Sequence, residues 1–76
     1  MFEQEWLNIF ADNLAYIMQE YKLSQSDIAE ETGVSISTVN KYLNKKQVPG
    51  IKFIINLSYA LGLDINELID FDERIE

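Results

Sequence analysis

The chain contains no cysteine and no histidine among its 76 residues. It therefore has no disulfide framework, no thiolate or imidazole ligands for a zinc site, and no histidine general base. It also has no phosphate-binding glycine loop and no run of eighteen apolar residues. These absences count against an enzyme, a bound metal or cofactor, and a membrane-spanning segment.

Apolar residues nonetheless make up 47% of the chain, and one Trp, four Tyr and four Phe supply bulky core material. This composition predicts one packed domain over residues 1–76 rather than a disordered tail. The chain opens with an acid at Glu3, where a signal peptide carries basic residues. We therefore expect a cytoplasmic protein.

Acidic residues are distributed unevenly along the chain, whose formal net charge is -7. Residues 1–31 hold seven acids and one lysine, and residues 64–76 hold six acids and one arginine. The middle, residues 32–63, holds four lysines and no acid. Net charge alone argues against nucleic acid, but this segregation predicts one surface that attracts anions. Chance in a short chain is the alternative explanation.

Apolar residues at spacings of three and four predict an amphipathic first helix from about residue 3 to residue 21. Ser24-Gln25-Ser26-Asp27 has the residue types of a capping box and predicts the start of a short second helix. Gly33 stands where a left-handed residue ends such a helix. The periodic positions of the first helix are Leu7, Phe10, Leu14, Ile17, Met18 and Tyr21.

Ser35 is predicted to cap a third helix that turns Val39, Tyr42 and Leu43 inward. The linker 44–50 holds the single proline, Pro49, which favours an extended residue before it. A fourth helix is predicted from about Ile51 to Gly62. Its predicted buried side consists of Ile54, Ile55, Leu57, Ser58 and Leu61. We expect Tyr16, Tyr42 and Tyr59 at the rim of the core.

A second capping box, Asp64-Ile65-Asn66-Glu67, predicts a fifth helix with Leu68 and Ile69. The expected fold is all-α and compact, with five helices. Helices two and three flank the glycine turn, which is the helix-turn-helix arrangement. In that arrangement the second of the two helices enters a major groove about 12 Å wide, so its outer residues should be polar. The candidates are Ser35, Ile36, Ser37, Thr38, Asn40, Lys41 and Asn44.

The segment LSQSDIAEETGVSISTVNKYLNKKQVPGIKFIINLSYALGLDINELI resembles the helix-turn-helix of phage repressors, Cro and their bacterial relatives of the xenobiotic-response-element type. The resemblance covers about residues 13–69. It implies a lambda-repressor-like domain that binds double-stranded DNA and regulates transcription, with repression the expected role. The matching parts are LSQ, Ile28-Ala29, Gly33-Val34-Ser35, Val39, Tyr42-Leu43-Asn44, Pro49 and residues 59–63.

Position by position, the resemblance places Gln25 at the start of the second helix, where family members often contact a phosphate or a base edge. It places Ile36, Ser37 and Lys41 where bases are read. Thr38 and Asn40 would support base or backbone contacts. The segment that usually grips phosphate corresponds to Asn44 and Lys45, and Lys46 adds charge beside it.

Two residues depart from the pattern of that family. Ile36 is apolar where many relatives carry Gln or Arg, so it could touch a thymine methyl but cannot hydrogen-bond a base. Its spacing from Val39 leaves a core position as the alternative. Gly50 replaces the usual Ser or Thr at a helix cap, which glycine tolerates.

A single copy is expected to bind weakly, because recognition by such domains uses two half-sites about 34 Å apart. The two half-sites could be reached by a dimer or by a longer parent chain. We expect a homodimer, with no small-molecule substrate. Core positions are an equal alternative for two of the apolar residues available for its interface, Trp6 and Phe10. A second interpretation is a protein-interaction module, such as an antagonist or an antitoxin partner, which the acidic balance favours. The candidates for the homodimer interface are Phe2, Trp6, Phe10, Phe71 and Ile75.

Overall fold

The computed structural model describes residues 2–64, with the side chains of residues 4–64. In this part the chain is all-α, and its helices are α1 (Phe2–Tyr21), α2 (Gln25–Thr32), α3 (Ile36–Leu43) and α4 (Ile51–Leu61). The predicted all-α fold and its first four helices are confirmed. The predicted fifth helix, with Leu68 and Ile69, lies outside the described residues.

One hydrophobic core joins all four helices. Each helix turns residues spaced three or four apart toward it, and burying one such large apolar side chain contributes roughly 1.5–3 kcal/mol. Phe10, Leu14, Ile28, Val39 and Leu57 are completely enclosed. The core cluster comprises Phe10, Leu14, Ile17, Ile28, Ala29, Val39, Tyr42, Phe53, Ile54 and Leu57.

Four aromatic rings form a continuous series through this core. Trp6 stacks on Phe10 with ring centroids 5.5 Å apart, and Phe10 meets the edge of Phe53 at 6.2 Å. Phe53 in turn meets Tyr42 at 4.7 Å and 67°. Pairs of this geometry contribute about 0.5–1.5 kcal/mol beyond area burial. The series ties α1, α4 and α3 together, and burial raises the pKa of the Tyr42 hydroxyl.

Helices α1 and α4 both end in a left-handed residue, a lysine after α1 and a glycine after α4. At the end of α4, Gly62 has φ 68°, and the Leu63 N–H donates to the Ser58 carbonyl at 2.8 Å. At the end of α1, Lys22 has φ 57°, and the Leu23 N–H donates to the Met18 carbonyl at 2.8 Å. Both ends have the six-to-one hydrogen bond of the Schellman motif. The α1 terminus therefore uses a lysine where glycine is usual.

Two expectations about apolar residues are wrong, and one open alternative is decided. Ile55, predicted on the buried side of α4, is 50% exposed, while Phe53 takes its place in the core. Successive helical residues are about 100° apart, so a face that buries Phe53 and Leu57 turns Ile55 outward. Tyr59, expected at the core rim, lies on the same outer face at 90% exposure. Of the two alternatives left open for Phe10, the core position holds, since this side chain has no exposed surface for an interface.

Candidate nucleic-acid interface

Helix α2 starts with hydrogen bonds between neighbours in the sequence. The Asp27 N–H donates to Ser24 Oγ at 3.0 Å, and the Ser24 N–H donates to Asp27 Oδ2 at 2.9 Å. This reciprocal pair is the capping box that the sequence predicts. Two hydrogen bonds lower the pKa of the Asp27 carboxyl, because both favour its charged form. The bond from the Ser24 backbone N–H has the larger effect and the bond with the Ser24 side chain the smaller.

The turn between α2 and α3 also forms as predicted. Gly33 adopts a left-handed conformation with φ 81°, and its N–H donates to the Ala29 carbonyl at 2.9 Å. Ser35 lies two residues after Gly33, and its Oγ accepts a hydrogen bond from the Thr38 N–H at 3.0 Å. The Thr38 hydroxyl lies 2.9 Å from the same oxygen. Ser35 and Thr38 therefore build the cap that starts α3.

Helix α3 has one buried face and one exposed face. Val39 and Tyr42 are buried, and Leu43 is half-buried beside them. Successive residues of a helix are about 100° apart. Residues 36, 40, 44, 37 and 41 therefore lie next to one another in one continuous arc on the opposite face. Ile36 is 52% exposed, so the core alternative for this residue is wrong. The exposed members of the arc are Ile36, Ser37, Asn40, Lys41 and Asn44.

Three amide side chains are linked across this arc and onto α2. Asn44 Nδ2 donates to the Asn40 backbone carbonyl at 2.9 Å and to Asn40 Oδ1 at 3.1 Å. Asn40 Nδ2 donates to Gln25 Oε1 at 3.4 Å. Gln25 is the first residue of α2, so the linked amides join the start of α2 to the end of α3.

The chain leaves α3 through a second Schellman motif built around a lysine. Lys45 has φ 62°, its N–H donates to the Tyr42 carbonyl at 3.1 Å, and the Lys46 N–H donates to the Lys41 carbonyl at 2.8 Å. The left-handed region is unfavourable for residues with a Cβ. Lys45 and Lys46 lie in this turn, directly after the arc on α3, and both are exposed.

An acid from outside the acid-free middle reaches this turn. Asp12 Oδ1, on α1, lies 3.4 Å from the Lys45 ammonium, and both side chains are accessible to solvent. Sequence reasoning missed Asp12, because the contact joins residues 33 positions apart and depends on how α1 packs against α3. The local charge at the end of α3 is therefore lower than the count of lysines indicates.

The structure brings the predicted site residues together on the exposed surface of α2, α3 and the turn after α3. Gln25 and Thr38 are half-buried, and the others are exposed. The exposed site residues are Ser35, Ile36, Ser37, Asn40, Lys41, Asn44, Lys45 and Lys46.

None of the helices within residues 2–64 is long and apolar enough to cross a membrane.

A short capped helix, a glycine turn and a second helix with an exposed polar face define a helix-turn-helix protein. Residues 14–68 match the model of a family described as Helix-turn-helix. The chain belongs to this family, and the predicted resemblance is confirmed. No curated protein sequence matches the chain.

Among solved structures, the chain is similar to a transcriptional regulator from Listeria innocua, with 35% sequence identity and a TM-score of 0.72. The match covers 79% of this chain and 56% of that regulator. The present chain thus corresponds to little more than half of the Listeria protein.

Proposed function

We propose that this chain is a transcriptional regulator, acting as a repressor, that binds double-stranded DNA in a sequence-specific manner with α3 in the major groove. The observation that carries the proposal is the arc of Ile36, Ser37, Asn40, Lys41 and Asn44, a continuous exposed helical face without an acid. The similar Listeria protein, a transcriptional regulator, supports the same role.

Within that arc the side chains suit different contacts. Ser37 can donate to or accept from a base edge, and Lys41 can donate to guanine O6 or N7. Ile36 has an exposed aliphatic side chain that fits the methyl group of thymine. We therefore expect the preferred half-site to hold a thymine opposite the start of α3. Lys45 and Lys46 follow the arc and suit phosphate oxygens.

The net charge of -7 does not oppose this proposal at the contact surface. Charges in water are screened over about 8 Å at physiological salt, while the Cα radius of gyration is 11.5 Å. Acids on the far side of the domain therefore act weakly at the DNA. They should still reduce non-specific binding, so that base contacts carry a larger share of the affinity.

The proposal includes a homodimer, because two recognition helices must reach half-sites about 34 Å apart. The principal extents of the domain are 31 × 24 × 20 Å, so two copies in contact can provide a spacing of that order. On α4, the outward residues Ile51, Ile55 and Tyr59 are 65%, 50% and 90% exposed. We propose this face as the surface that meets the second copy, in place of Phe10.

Binding to duplexes selected from a random pool, followed by fluorescence polarisation, tests the proposal. The Ser37→Ala, Lys41→Ala double variant should bind the selected duplex at least about thirtyfold more weakly, since each of the two base contacts contributes about 1–3 kcal/mol. Gln19→Ala, at an exposed position on α1, is the control and should bind like the parent. Unchanged binding by the double variant would contradict the proposed site.

Salt dependence gives a second measurement. A dimer that neutralises about six to eight phosphates should show log K falling against log salt with a slope of about -5 to -7. A slope near zero would argue against phosphate contacts.

Sedimentation tests the proposed dimer surface. The sedimentation coefficient of the Tyr59→Lys variant should shift toward that of the monomer, with weaker DNA binding and an unchanged fold.

The exposed apolar residues of α4 also favour a second candidate, a protein-interaction module that binds no DNA. Hydrogen exchange separates the two candidates. DNA binding should protect residues 33–46, whereas a protein partner on the α4 face should protect residues 51–61 and leave 33–46 unchanged when duplex is added.

A further inference from the structure

One backbone carbonyl fixes which way the Asn44 side-chain amide faces. The carbonyl oxygen of Asn40 lies 2.9 Å from Asn44 Nδ2. A carbonyl oxygen can only accept a hydrogen bond, so the atom facing it must be the nitrogen of the amide. Turning the Asn44 amide over would place two acceptors against each other. Its orientation is therefore determined by the main chain of α3.

This orientation passes to the next two amides in turn. Asn44 Nδ2 also lies 3.1 Å from the Asn40 side chain, which must present its acceptor, Oδ1, to that donor. The Asn40 nitrogen is then on the other side, where it donates to Gln25 Oε1 at 3.4 Å. The main-chain carbonyl of α3 thus sets the direction of an amide on α2, fifteen residues earlier in the sequence.

The consequence for Gln25 is that its oxygen faces Asn40, so its Nε2, with two N–H groups, lies on the opposite side of the amide and can be offered to a ligand. Gln25 is the first residue of α2, where the positive end of the helix dipole favours a negative group. A donor at this place suits an anionic acceptor, and a phosphate oxygen of a duplex is the acceptor we favour over a base edge. The opposite orientation would present an oxygen and repel phosphate.

We propose that Asn40 and Asn44 are positioning residues that hold Gln25 with its Nε2 toward a phosphate of the bound duplex. The inference rests on the proposed DNA-binding function. It assigns Asn44 a different role from the phosphate grip that the family resemblance implies, since the Asn44 nitrogen already donates to both Asn40 oxygens. The link from Asn40 to Gln25 is the longest at 3.4 Å, so we expect a modest coupling through it.

Side-chain amide resonances of the free protein test the positioning without DNA. In the parent, the Asn44 NH2 protons should exchange with water more slowly than those of Gln25, because the Asn44 nitrogen has two hydrogen-bond acceptors. Asn40→Ala should speed Asn44 exchange and shift the Gln25 side-chain resonances. Backbone amide shifts of Leu14 and Leu57, core residues far from Asn40 in the sequence, should stay unchanged and show that the core is intact. Gln25 side-chain resonances that do not change in Asn40→Ala would overturn the proposal.

Binding to the selected duplex tests the role in recognition through a double-variant cycle. Gln25→Ala should weaken binding about tenfold, as expected for a hydrogen bond to a charged group. Asn40→Ala should weaken it about threefold in the parent and by less than about 1.5-fold when Gln25 is already Ala. Losses that simply add would show that Asn40 contacts DNA itself, which overturns the positioning role.

An unrelated duplex identifies the acceptor. A phosphate contact predicts that Gln25→Ala weakens binding to selected and unrelated duplexes by the same factor. A loss confined to the selected sequence would overturn the phosphate assignment in favour of a base edge. If the parent binds no duplex at all, the proposed function fails, whereas retained binding with additive losses sinks only the positioning proposal.

Discussion

Asp12 on α1 lies 3.4 Å, carboxylate oxygen to ammonium nitrogen, from Lys45 in the turn after α3. The two side chains are 73% and 38% exposed, and ion pairs of this kind contribute at most about 1 kcal/mol to stability. The contact matters more for charge. A phosphate that approaches Lys45 must compete with a carboxylate that is already there.

Asp12→Asn should therefore raise DNA affinity while leaving stability nearly unchanged. We expect a gain of about threefold at roughly 50 mM salt, and a smaller gain at higher salt as screening increases. Polarisation titrations at several salt concentrations measure it. Glu20→Gln removes the same charge from an exposed position on the same helix and is the matched control. Equal gains for both variants would show that only net charge matters.

The two left-handed lysines, Lys22 and Lys45, allow a test that separates folding from binding. Glycine removes left-handed strain of roughly 1 kcal/mol, so Lys22→Gly should raise Tm by about 4–8 °C in a domain of this size. Lys45→Gly should raise it less, because it also removes the Asp12 ion pair. Calorimetry measures both.

Only Lys45→Gly of this pair should weaken DNA binding, since only Lys45 follows the exposed face of α3. A loss of binding in both variants, or in neither, would contradict the phosphate role of Lys45.

Acid stability should depend on Asp27. Its carboxylate accepts the Ser24 N–H, and its pKa is lowered in the folded protein. The sign follows from linkage: the stabilisation is complete above the unfolded pKa of about 3.9 and is lost as pH falls through the lower folded pKa. Asp27→Asn keeps an acceptor for the cap but cannot titrate. Its free energy of unfolding should therefore fall less between pH 5 and pH 2 than that of the parent, as urea denaturation would show.

At alkaline pH the corresponding group is Tyr42. Burial raises the pKa of its hydroxyl in the folded state, so the folded protein holds this proton when the unfolded chain has released it. Stability from this group is complete below the unfolded pKa of about 10 and declines as pH rises toward the higher folded pKa. Tyr42→Phe should therefore flatten the loss of stability above pH 10 while keeping the ring contact with Phe53. Equal alkaline sensitivity in both proteins would exclude Tyr42 as its source.

The features that could be predicted from the sequence are those whose hydrogen bonds are local. Ser24 and Asp27 are three residues apart, as are Ser35 and Thr38, and each pair forms the expected cap. Gly33 ends α2 as predicted, because a left-handed residue there favours glycine. The family resemblance then placed the candidate site on α3.

What could not be predicted depends on packing between helices. In α4, apolar residues occupy several sides of the helix, so periodicity alone did not distinguish Phe53 from Ile55. The contact of Asp12 with Lys45 and the link from Asn40 to Gln25 join residues distant in sequence. Lysine carries no sequence signal for the left-handed conformation that Lys22 and Lys45 adopt.

The stacking of Trp6 on Phe10 has a practical consequence. Trp6 is the single tryptophan of the chain, and the ring beneath it belongs to the central core. Its intrinsic fluorescence is therefore an internal optical probe of whether α1 is docked, requiring no attached label. Excitation of this indole would follow the attachment of α1 separately from events at α3, at concentrations far below those needed for magnetic resonance.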